Sequence, residues 1–201
     1  MIRSMQLIPS QYKGRSIRAI SSREFPNDSV AQSFFETTRQ RLERVNDWQT
    51  WAGAALAQFT LVNSDGKDVY RPPIVGDHFK IDVPGPGSAE GQGYDWVQIE
   101  AIEQEVNADS AHYGFTVRPS SNPERSTIET AHFYSDESTS TFLVRRNGKI
   151  VSVEVYDRNI TPNTDAKRTT DKVRNSLVGA MGTLTFSKLQ WQSLTNGLIS
   201  D

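Results

Sequence analysis

Between Ala54 and Tyr156 apolar residues recur at every second position, a period that suits a strand and not a helix. Ala57, Phe59 and Leu61 alternate with Gln58 and Thr60, and Phe79, Ile81 and Val83 with His78, Lys80 and Asp82. Val97, Ile99 and Ala101 alternate with Trp96, Gln98 and Glu100, and Tyr113, Phe115 and Val117 with Gly114 and Thr116. Each run has one apolar and one polar face, as in an antiparallel sheet packed on one side. Asn147-Gly148, between the runs Thr139–Arg146 and Lys149–Tyr156, signals a tight hairpin because both residues tolerate positive φ. A loop of those two residues sets Arg146 opposite Lys149, Val144 opposite Val151 and Phe142 opposite Val153.

Helical periods flank the alternating region. Ser16–Arg23 forms a first strand with Ile17, Ala19 and Ser21 on one face, and Pro26-Asn27-Asp28-Ser29 then supplies capping side chains. Val30, Phe34, Thr38 and Leu42, with Ala31, Phe35 and Val45 beside them, make one stripe on a helix over about 29–45. Trp48 and Trp51 are spaced to share a helical face, either closing the core or forming an aromatic platform or interface. Helical spacing returns over about 168–199: Val173, Leu177, Ala180 and Leu184 share a stripe interrupted by Gly179 and Gly182. Ser187 and Gln190 fit a capping box and Phe186 and Trp191 its staple, so the pattern predicts two helices or a hinge between Gly179 and Ser187. The expected fold class is therefore α+β. One domain, 1–201, has a curved antiparallel sheet of about six to eight strands on these helices, with 1–15 as an N-terminal arm or edge element.

Charge narrows the partners. Lys+Arg 22 against Asp+Glu 24 leaves −2, which argues against nucleic acid and polybasic membrane-surface binding. No run has the apolar length of a membrane-spanning helix. Met1 to Pro9 contains no continuous apolar stretch of a secretory leader, so a cytoplasmic location is expected. There is no cysteine, which removes thiolate metal sites and cysteine nucleophiles. His78, His112 and His132 form no ligand-spaced pair, so neither metal nor cofactor is expected. No G-x-S-x-G or S-x-x-K occurs. Ser138-Thr139-Ser140-Thr141 reads as strand propensity with sheet-edge solvation, and Arg145-Arg146 and Lys167-Arg168 as solvated charge.

The least ordinary local sequence is the glycine-rich run from Gly76 to Val97. It lacks the Lys-Ser/Thr and the following helix of a phosphate loop, so it reads first as a long stiffened connection between strands. Long loops on a sheet also carry function. If the flanking strands pair, Asp82, Tyr94, Asp95 and Trp96 come together at its ends, with Trp96 out of phase with the apolar face. Such a ring is either covered by a second layer or free to meet a polar, sugar-like molecule. Three readings follow. The first is a non-enzymatic small-molecule-binding or interaction domain using Asp82, Tyr94, Asp95 and Trp96. The second is an oligomeric structural component with Trp48, Trp51 or Trp191 at a homo-oligomer interface. The third is a hydrolase or isomerase using Asp82, Asp95 or His132.

The run Gly76-Asp77, Ile81-Asp82-Val83-Pro84-Gly85-Pro86-Gly87 and Gly93-Tyr94-Asp95-Trp96-Val97, with Thr139-Ser140-Thr141-Phe142 later, resembles an uncharacterised family of bacterial proteins of similar length. That resemblance brings no activity or catalytic residue with it. In architecture alone the chain is similar to helix-grip (START-like) domains. The likeness implies a curved sheet wrapped around the last helix with a ligand cavity between them.

Overall fold

Asn27 opens the first helix by accepting the Val30 amide at 2.9 Å on its side-chain oxygen, the expected cap. The computed structural model describes residues 7–53, 57–83, 88–126, 128–163 and 183–201. Its elements run β1 (Arg15–Glu24), α1 (Asp28–Glu43), a short 3-10 turn (Val45–Asp47), α2 (Trp48–Ala52), β2 (Gln58–Val62) and β3 (His78–Asp82). They continue with β4 (Asp95–Val106), β5 (Ser110–Pro119), β6 (Thr139–Asn147), β7 (Ile150–Ile160) and α3 (Thr183–Leu198). The seven strands form one sheet in the order β1-β7-β6-β5-β4-β3-β2, antiparallel throughout. The α+β expectation holds, with an N-terminal helix and a C-terminal helix on the sheet's inner face. The expected helical stretch before 183, including the Gly179–Gly182 break, lies outside the described residues.

The inner face carries Phe59, Leu61, Phe79, Ile81, Val97, Ile99, Tyr113, Phe115, Val117, Phe142, Val144, Val151, Val153 and Val155, all buried. Trp48 closes this face. Its ring lies 4.9–6.2 Å from those of Phe59, Phe79, Phe115 and Phe142, and its indole N–H donates to the Leu42 carbonyl at 3.0 Å. On α1 the buried line is Ala31, Phe35, Thr38 and Leu42, while Val30 is exposed, so the stripe is rotated from the expected one.

The hairpin forms two residues out of the expected register. Asn147 pairs with Ile150, Val144 with Val153 and Phe142 with Val155. A shift of two keeps every side chain on its face, so the apolar pattern does not distinguish the registers. The turn does: Gly148 alone takes positive φ (+56°) and leads the loop Gly148-Lys149, as in a II′ turn, leaving Asn147 in the strand. In β4 a bulge between Ile99 and Ala101 moves the phase by one, so Ala101 is exposed and Ile102 faces Phe115.

Two expectations of solvation fail because β6 is an interior strand. Ser138, Thr139 and Thr141 are buried, with the Thr141 hydroxyl 2.9 Å from that of Thr116. Arg146 is also buried, donating to the carbonyls of Ala108 at 2.9 Å and of Asn107 and Gly148 at 3.3 Å, which ties together the β4–β5 and β6–β7 turns.

Residues 7–14 cross the outer face as an arm. Leu7 lies over Gly114, where a Cβ would come within 3.0 Å of the Leu7 side chain and 2.5 Å of the Phe142 carbonyl oxygen. The Leu7 carbonyl accepts from the Thr116 hydroxyl at 2.7 Å. Asn159, at φ +55°, is the clasp: its Oδ1 accepts the Tyr12 amide at 2.9 Å and its Nδ2 donates to the Ser10 carbonyl at 3.1 Å. Asn159→Ala should cost about 2–3 kcal/mol in urea unfolding, through lost hydrogen bonds and the left-handed backbone. It should also speed amide exchange at Tyr12. Asn159→Gly should recover only the backbone part, and equal losses in the two variants would show that the backbone carries no strain.

Candidate functional site

A cleft lies between the inner face and the amino half of α3. Ala57, Phe59, Phe79, Ile81, Val97, Val117 and Phe142 form its floor, and Phe186, Ser187, Gln190 and Trp191 its cover. His132, Phe133 and Tyr134, from the segment before β6, form one wall. The free space is about 50 Å³. A second void of about 20 Å³ shares Val97, Val117, His132, Tyr134 and Ser140 with it and ends at Asp157.

Three hydrogen bonds hold the cover down. The Ser187 hydroxyl is 3.2 Å from the Tyr134 hydroxyl, Gln190 Oε1 accepts the Ala57 amide at 2.8 Å, and the Trp191 indole N–H donates to Asp157 Oδ2 at 2.7 Å. These bonds correct the expected capping box. The helix runs unbroken from Thr183, so Ser187 and Gln190 are interior residues facing the sheet. The carboxyl half is anchored separately. Leu194 and Leu198 are fully buried, the Thr195 hydroxyl accepts from Ser21 at 2.8 Å, and a Cβ on Gly197 would meet the Trp51 carbonyl oxygen at 2.2 Å.

Asp157 is the chemically distinctive group. It follows Val151, Val153 and Val155 on the inward phase of β7, and it faces Ser140 across the ladder. Burial pushes its carboxyl up to about 6, and the Ser140 hydroxyl, the Trp191 indole and the Arg158 charge offset only part of that. Its Oδ1 is buried without a hydrogen-bond partner among the described residues, as is Gln190 Nε2. His132 Nδ1 accepts the Tyr134 amide at 2.9 Å, which places the ring proton on Nε2.

The sequence-derived candidates divide between the two faces. Asp82 and Tyr94 line an outer groove of about 170 Å³ with Gln58, Thr60, Asp68 and Lys80. The Lys80 ammonium lies 4.2 Å from the Tyr94 ring centre. Trp96 is on that face but fully buried beneath Val62, Ala131 and Tyr94, with its indole N–H donating to the Gly91 carbonyl at 3.1 Å. Asp95, one position before it, falls on the inner phase and is buried. Gly91 sits where a Cβ would come within 1.8 Å of the Tyr94 carbonyl oxygen, so this part of the glycine-rich run serves a tight backbone approach. Residues 84–87 lie outside the described residues. Trp48 is a core residue, and Trp51 is half-buried beside it. Asp77 is engaged by Arg71 in a two-point ion pair at 2.6 and 2.9 Å, and His112 lies 3.0 Å from Glu103. Among the described residues no group of three His, Asp or Glu is placed to hold a metal, and no helix is long and apolar enough to cross a membrane.

Sequence reasoning missed Asp157, Ser140, Tyr134 and Gln190. Asp157 and Ser140 carried a signal, since each is a polar residue at the inward phase of an apolar strand. An acid held protonated more readily in the fold than in the open chain contributes stability fully below about pH 4. That contribution is lost as pH rises through about 6. Asp157→Asn should therefore gain on the wild type by up to about 3 kcal/mol between pH 4 and pH 8, read from denaturant melts across that window. A pH-independent difference would mean that this carboxyl is not perturbed.

No family model and no curated protein matches the chain. Solved structures do resemble it at low identity. A hypothetical protein, jhp0584, from Helicobacter pylori is 10% identical, with 96% of this chain and 98% of that one covered and a TM-score of 0.46. Ara h 8.0201 is 14% identical, over 90% and 100% of the two chains, with a TM-score of 0.32. Truncated norcoclaurine synthase from Thalictrum flavum is 8% identical, over 92% and 96%, with a TM-score of 0.35. These are likenesses in outline, and the site rests on its own geometry.

Proposed function

We propose that this protein is a small-molecule-binding domain that holds an apolar ligand bearing a polar group between the sheet and the amino half of α3. The observation that supports it is a buried acceptor, Asp157 Oδ1, and a buried donor, Gln190 Nε2, both unmatched among the described residues at a mostly apolar cleft. Unmatched buried polar atoms cost about 1–3 kcal/mol each, and a ligand that completes them recovers that cost. The cleft's free space of about 50 Å³ is far below the roughly 300–1,000 Å³ of ligand pockets. Binding therefore requires the amino half of α3 to lift while its carboxyl half stays docked.

Benzyl alcohol is a suitable neutral probe. Titrated against ¹⁵N-labelled protein, it should move the Trp191 indole resonance saturably. Ala57→Leu, which fills the cleft floor, should weaken that binding at least tenfold. A probe that leaves Trp191 unmoved, or binds the variant equally well, rules this reading out.

A second reading keeps the outer groove, because Asp82, Asp68, Lys80 and Tyr94 line it with polar groups around one aromatic face. Such a groove suits a polar, sugar-like ligand. Methyl glucoside should then shift Tyr94 ring signals, and Asp82→Asn should abolish the shift while leaving the Trp191 response to benzyl alcohol intact.

A further inference from the structure

The cleft is electrostatically one-sided. Among the described residues that line the two voids there is no Lys or Arg, and their ionisable groups are Asp157, His132 and Tyr134. His132 uses Nδ1 as an acceptor, and Tyr134 shares its hydroxyl with Ser187. Arg158 follows Asp157 in the strand and so points to the opposite face, where its guanidinium lies 5.2 Å from the Tyr156 ring centre. Asp157 Oδ2 is met by the Trp191 indole and the Ser140 hydroxyl faces the carboxyl, while among the described residues Oδ1 is buried without a hydrogen-bond partner. The void beside it, about 20 Å³, has room for one group of the size of water or an ammonium. The larger apolar space adjoins it through His132, Tyr134 and Ser140.

We infer that the ligand's polar group is a protonated amine, seated on Asp157 Oδ1 in the small void, with its apolar body in the adjoining cleft. This rests on the reading that the cleft is the binding site. A buried carboxylate with no ion pair among the described residues is best completed by a positive donor, and an ammonium pairs with it as a charge-assisted hydrogen bond. A carboxylate-bearing ligand would meet like charge in the same low-dielectric space.

The test compares benzylamine, benzyl alcohol and benzoate at pH 7.5, with the Trp191 indole resonance as readout for each. Benzylamine should bind at least tenfold more tightly than benzyl alcohol, and benzoate most weakly. Asp157→Asn should remove benzylamine's advantage and bring the amine to the level of the alcohol measured on the same variant. If the alcohol binds and the amine has no advantage, or if the advantage survives in Asp157→Asn, the amine assignment is overturned and the cleft remains the site. If none of the three moves Trp191, the cleft reading falls and the assignment with it. Should the variant fail to fold, the wild-type ranking decides alone.

Discussion

Trp48 is the contact on which the rest of the molecule is registered. Its ring meets phenylalanines from β2, β3, β5 and β6, and its N–H is satisfied by the last turn of α1. A single residue thus sets the α1–α2 corner against four strands, and burying a side chain of this size contributes more than about 3 kcal/mol. The corner spans the sheet from edge to edge, since β1 and β2 are the outermost strands. Where this packing ends, the cleft begins. Phe59 and Phe142 touch Trp48 as well as Trp191 of α3, at ring separations of 6.0 and 5.1 Å from the latter. The floor of the candidate site is therefore the far side of the Trp48 packing.

Asp157 opposes that stability. A valine in its place would continue the run of Val151, Val153 and Val155, and a buried ionised carboxylate is worse for folding than an apolar residue of similar size. The offsetting contacts are few: one indole donor and a facing hydroxyl. A local rule broken inside an otherwise consistent strand is the pattern expected where function constrains the chain. The outer face shows the contrast, since Glu154, also buried, accepts from the hydroxyls of Ser152 at 2.7 Å and Tyr156 at 2.5 Å.

Much of this fold was legible because period-two alternation is a one-dimensional record of a two-faced sheet. The strands and the inward set from Phe59 to Val155 follow from it, while the capped α1 follows from its own helical spacing. The hairpin register was not, because two registers two residues apart bury the same faces and only the turn's φ values separate them. The bulge at Glu100 was also silent, since one extra residue changes phase without changing composition. Ser187 and Gln190 imitate a capping box because the spacing that joins cap and third residue also places two side chains on one helix face. Of the candidate site, the outer pair Asp82 and Tyr94 follows from strand pairing. The inner cleft depends on where α3 lands, and no local pattern records that distance.

The two ends of α3 set how the cleft opens. Its amino half is held by three hydrogen bonds and the partly buried rings of Phe186 and Trp191. Neutral bonds of this kind contribute about 0.5–1.5 kcal/mol each and the charged one about 1.5–3. A ligand that replaces them bond for bond meets little net opposition. The carboxyl half combines two fully buried leucines with a glycine pressed against the Trp51 backbone, so lifting it would expose core and open a close-packed contact. Opening of the cleft as proposed would therefore pivot the helix near Leu194 rather than detach it. The bond from Trp191 to Asp157 stands in the amino half, so the residue that holds the cover also orients the carboxylate at the cleft.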